Sequence, residues 1–149
     1  MPALPNDVPA TTPPEPPTGW VPHDRRSPLT APWEPIWARR EPRALRLAVE
    51  VREAHCNGRG LAHGGLITAL ADNAMGLSAM LAARADGLDP QGALTVSLSV
   101  DFVEPARPGD LLELVPTVVR AGRTLAFVEC RAVVGARVVA RASGTFRMG

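Results

Sequence analysis

The sequence predicts an α+β domain, and three observations predict it. Gly64 to Ala83 contains no proline and no β-branched run, and Ala and Leu dominate it, so one long helix is expected. Ahead of it lies a single strand with strict apolar–polar alternation. Behind it come four more strand-like runs separated by turn residues. A strand, a helix and then a run of antiparallel strands give a sheet with one apolar face and one helix to cover it.

Taken in order, residues 1–20 hold seven prolines and few large apolar groups. Such a stretch buries too little surface to offset chain entropy, so a disordered or polyproline-like arm is expected over 1–26 and the domain proper over 27–149. Trp33 and Trp37 mark Ser27–Trp37 as an ordered cap. Arg43 to Arg52 is the first strand, with Leu45, Leu47, Val49 and Val51 on one face and Arg46, Glu50 and Arg52 on the other.

The helix is apolar nearly all round, which means burial. Asp72 and Asn73 at its centre, with no aromatic belt or basic cluster beside it, argue against a membrane span. Asp72 is the exception in that helix, because an unpartnered buried charge costs several kcal/mol. Gly87 and Pro90 stop the helix. In the next run Leu94, Val96, Leu98, Val100 and Phe102 alternate with Thr95, Ser97, Ser99 and Asp101, placing the two sets on opposite faces. Leu111 to Arg120 follows, with Pro116 pointing to an edge or a bulge. Thr124 to Val134 and Arg137 to Phe146 make a hairpin about Gly135-Ala136.

Composition excludes several classes of function. The formal charge is +1, so nothing favours a nucleic-acid partner. All sixteen basic residues are arginine, which removes Schiff-base chemistry and a lysine base, and tyrosine is absent. Cys56 and Cys130 show no metal-ligand spacing and form no disulfide framework. No apolar leader opens the chain, so a cytoplasmic location is the expectation.

Asn57, Gly60 and His63-Gly64-Gly65, then Asp72 eight residues after Gly64, then Asn73-Ala74-Met75-Gly76, resemble the PaaI-like branch of the hotdog-fold acyl-CoA thioesterases. The segment Thr95 to Asp110 and the Gly122-Arg123-Thr124 link continue the resemblance, which covers roughly residues 40–148. It implies a hotdog fold, a long central helix wrapped by an antiparallel sheet. The implied activity is hydrolysis of an acyl- or aryl-CoA thioester, without metal or redox cofactor, coenzyme A being part of the substrate. It implies a homodimer, paired into a tetramer, with sites shared between subunits.

The residue roles follow from the same resemblance. Asp72 is the general base or the nucleophile. The Gly64 N–H, at the positive end of the helix, polarises the thioester carbonyl. Eight residues of helix separate them by about 12 Å, too far for one carbonyl, and the resemblance resolves this by drawing the two from different subunits. Asn57 orients water or thioester, and His63 fixes the loop or contacts the thioester. Thr95 holds the water beside the carboxylate, because the alternative hydroxyl position, one turn past Asp72, is Gly76 here. Gly65, Asn73 and Gly76 join Thr95 in substrate binding. Two rival readings use the same fold, a non-catalytic acyl-CoA-binding protein and an enoyl-thioester hydratase. His63 stands nine residues before Asp72 and fits the second poorly.

Overall fold

The sheet and its helix form where the sequence places them, in a computed structural model that describes residues 14–149. The helix, α1, spans Gly64–Ala85. Seven strands build one sheet: β1 (Val21–Pro22), β2 (Trp37–Arg40), β3 (Leu45–Glu50), β4 (Ala93–Phe102), β5 (Leu111–Ala121), β6 (Leu125–Val134) and β7 (Arg137–Met148). Their order across the sheet is β1-β2-β3-β5-β6-β7-β4, and every neighbouring pair is antiparallel. The helix crosses the concave face, and Leu70 and Met75 pack with Leu47, Leu112, Leu114, Val128 and Phe146 in one core. Ser78, fully buried, satisfies itself by donating to the Ala74 carbonyl at 2.6 Å and accepting the Leu45 N–H at 2.9 Å, which ties the helix to the start of β3.

Four departures from the sequence reading have physical causes. The arm expected over 1–26 lies outside the described residues as far as 13, but its end is built into the domain. Trp20 is buried with Trp37 and Ala48, Arg39 stacks on its ring at 4.7 Å, and Val21–Pro22 pairs with Trp37–Ala38. The same cluster buries Ala48, so β3 is covered on both faces at its centre rather than half-buried. Pro116 sits in an interior strand. It is tolerated because β3 reaches only Leu111–Leu114 of β5, so at Pro116 the strand has β6 alone as a partner.

The fourth departure is in β4. Strict alternation would put Thr95 on the face opposite Leu98. The register with β7 shifts between Thr95 and Ser97, so Val96 is an extra residue. Ala93 and Thr95 stand opposite Met148 and Phe146 before the bulge, while Leu98 and Val100 pack on the core after it. Leu94 and Val96 are left in solvent, 68% and 61% exposed. One inserted residue therefore turns Thr95 toward the helix.

Candidate active site

The middle of α1 carries the carboxylate. Asp72 is half-buried, and the Thr95 hydroxyl donates to its Oδ1 at 2.6 Å. That distance is short for a hydroxyl–carboxylate bond and marks a charge-assisted one. The bond leaves the Thr95 oxygen lone pairs and the second carboxylate oxygen for a water or a substrate atom. Asp72, Thr95, Asn73 and Gly76 line one cavity of about 350 Å³, closed on its apolar side by Leu77, Met80 and Phe146. A Cβ at Gly76 would stand 3.4 Å from the Phe146 ring, so the missing side chain is what keeps this part of the cavity open.

The first turn of α1 forms a second group. His63 is the N-cap: its Nδ1 accepts the Gly65 N–H at 2.8 Å, and its own N–H donates to the His55 carbonyl at 2.9 Å. Gly65 thus spends its N–H on the cap. Among the described residues the Gly64 N–H has no acceptor, and it lies at the positive end of a 22-residue helix. Phe102 of β4 packs on this turn, because a Cβ at Gly64 would stand 3.0 Å from Phe102 Cζ. The loop before the helix is held by Asn57, whose Oδ1 accepts the N–H groups of Arg59 at 2.9 Å and Leu61 at 3.3 Å. Asn57 lines a separate cleft with Glu53, Cys56 and Gly60. Within one chain, then, Asp72, Thr95, Asn73 and Gly76 come together, while Gly64, Gly65, His63 and Asn57 gather two turns away.

The neighbouring chemistry is quiet. Burial pushes the Cys130 thiol up to about 12, so it is protonated at neutral pH and no nucleophile. Burial also lowers the pKa of His55, which sits under the loop with Nδ1 accepting the Arg52 N–H at 3.0 Å and Nε2 donating to the Trp33 carbonyl at 3.0 Å. Among the described residues no three His, Cys, Asp or Glu side chains are grouped as a metal site needs.

The sequence reading missed His23, Arg25, Arg26, Ser27, Gln91 and Gly92, which also line the Asp72 cavity. The usable signal was Trp20, a large aromatic inside a proline-rich stretch, followed within a few residues by a basic pair.

A single antiparallel sheet curled round one long helix, with an open N–H at the helix start and a carboxylate at its middle, defines a hotdog protein. More narrowly, the chain belongs to the thioesterase superfamily, whose family model matches residues 59–141. It is similar to a provisionally named esterase of Pseudomonas aeruginosa, 41% identical over 133 residues that cover 89% of this chain and 96% of the relative. Among solved structures it is similar to a mutant of the phenylacetic acid degradation protein PaaI from Thermus thermophilus. That match has a TM-score of 0.67, is 28% identical and covers 81% of this chain and 98% of the other. It is also similar to a Streptococcus mutans protein solved bound to acetyl CoA, with a TM-score of 0.71, 25% identity and coverage of 85% and 94%.

Proposed function

We propose that the protein hydrolyses an acyl-CoA thioester to the free acid and coenzyme A. The observation that carries this reading is the 2.6 Å hydrogen bond from Thr95 to Asp72 in a cavity of acyl-group size. In the hydrolytic step a water lies between the free Asp72 oxygen and the Thr95 oxygen. Asp72 takes its proton as the water oxygen bonds to the thioester carbon. The carbonyl oxygen gains the charge and meets the open Gly64 N–H of a second subunit. The tetrahedral centre collapses, the C–S bond breaks, and the thiolate of coenzyme A leaves and is protonated. Direct attack by Asp72 through a mixed anhydride uses the same groups. Water carrying oxygen-18 in a single turnover tests the anhydride route, because label enters the Asp72 side chain only when water opens an anhydride at the Asp72 carboxyl carbon.

Support for the second subunit comes from β4. Among the described residues it is an edge strand, paired only to β7, and Leu94, Val96, Phe102 and the adjoining Val103 are more than half exposed along it. A ten-residue edge of this kind is a template for a partner strand. The hotdog resemblance implies that two copies run their helices side by side, the Gly64 end of one toward the Asp72 of the other, and this edge is where such a pair would join. The acetyl CoA held by the S. mutans relative supports the substrate class. The test is thiol release from a panel of acyl-CoAs by wild type and Asp72→Ala. Release by the wild type and its loss in the variant are expected. Equal release by both would overturn the assignment, and tight binding with no release would make the protein an acyl-CoA binder.

A further inference from the structure

Residues 20–30 cross the outside of α1 as a strap fixed at both ends. On one side Trp20 is buried, Val21–Pro22 pairs with β2, and the His23 N–H donates to the Ile36 carbonyl at 2.8 Å. On the other, the Ser27–Thr30 turn is closed by mutual hydrogen bonds, and Thr30 is buried. Only residues 24–26 are free between these anchors. Asp24 turns its side chain to solvent, 95% exposed, and Arg25 and Arg26, themselves exposed, stand on the rim that lines the Asp72 cavity. Neither arginine has a carboxylate within salt-bridge distance among the described residues, a state shared with nine other arginines, but of the sixteen these two are the ones that line the Asp72 cavity.

His23 completes the wall. It is buried, its Nδ1 has no hydrogen-bond partner, and burial lowers its pKa, so at neutral pH it adds no charge. The wall facing Asp72 therefore carries two cations and no acid of its own. A cavity of about 350 Å³ is at the small end for ligands and takes an acyl group, not the nucleotide half of coenzyme A.

We infer that Arg25 and Arg26 are the specificity residues of the acyl pocket and select thioesters whose acyl group ends in a carboxylate. This rests on the thioesterase reading above. The thioester carbon is held at Asp72, and the far carboxylate is met by the guanidinium pair, whose planar donors suit it. A neutral chain of the same length leaves both cations unpaired.

The experiment compares glutaryl-CoA with pentanoyl-CoA, which share a five-carbon chain and differ in the terminal carboxylate. Binding is measured by calorimetry on Asp72→Asn protein, which removes turnover, and kcat/KM on protein with Asp72 intact. A preference for glutaryl-CoA of at least about tenfold is expected, collapsing to within about threefold in Arg25→Gln/Arg26→Gln and restored in Arg25→Lys/Arg26→Lys. Equal affinity for both thioesters before any change to the strap would overturn the inference, as would a preference that survives the double glutamine change. So would an equal weakening for both that disappears with the 3′-dephospho forms, since the arginines would then be holding phosphate. Because binding is read without turnover, failure of the enzyme reading, seen as no thiol release from any acyl-CoA of the panel, stays distinct from failure of the strap, which the affinity ratio judges.

Discussion

Asp72→Asn keeps an acceptor for the Thr95 hydroxyl but removes the base, so kcat should fall by about 10²–10⁴-fold with the melting temperature little changed. Thr95→Val should cost less, about tenfold, since it removes one of two water ligands and leaves the carboxylate. Thiol-release assays paired with thermal melts check both. His55 predicts a pH effect of defined sign. Its folded pKa lies below the ordinary histidine value because burial disfavours the charged form. The unfolded chain thus binds the extra proton first, so stability is full above about pH 6.5 and declines as pH falls through the folded value. His55→Gln should flatten that decline, measured by urea titrations on either side of the ordinary histidine range. Much of this residue scale was legible in the sequence. Asp72 stood out as the charge in an apolar helix, and the resemblance paired it with Thr95. The working of the His63 cap was not legible, because a side chain accepting from the N–H two residues on has no periodic signature.

Elements were legible where they were long. The helix shows a proline-free, Ala- and Leu-rich run of 22 residues, and β4 to β7 show alternation over ten residues or more. β1 and β2 have two and four residues, too few for alternation to register, and their pairing depends on Trp20 reaching a partner far along the chain. The bulge at Val96 was hidden because alternation counts residues and a bulge miscounts by one. Packing between elements gives a paired prediction. At Gly144 a Cβ would fall 2.8 Å from the Phe146 ring and 3.2 Å from Met75 Cε, so Gly144→Ala should destabilise by about 1–3 kcal/mol. At Gly76 the contact is 3.4 Å, so Gly76→Ala should stabilise the helix by up to about 1 kcal/mol while narrowing the acyl pocket. Chemical denaturation of the two variants checks the contrast, and a shift of Gly76→Ala toward shorter acyl groups checks the pocket.

In the proposed dimer of the whole molecule the helix contributes to two sites, its first turn to one and its middle to another. If the active unit is the proposed dimer, Asp72→Ala and Gly64→Pro subunits, each inactive alone, should regain part of the wild-type activity when mixed, provided the proline form folds. Purified heterodimers assayed for thiol release give the answer, and no recovery would count against shared sites. One consequence follows from where Thr95 sits. Among the described residues of one subunit the strand that carries it is held by β7 alone, so its other edge depends on the partner strand of that dimer, and once the pair parts it frays at lower cost than the core. Activity and fold should therefore melt apart. On warming, hydrolysis should fade at a temperature below the calorimetric transition and return on cooling, and a ligand bridging Thr95 and Asp72 should draw the two temperatures together.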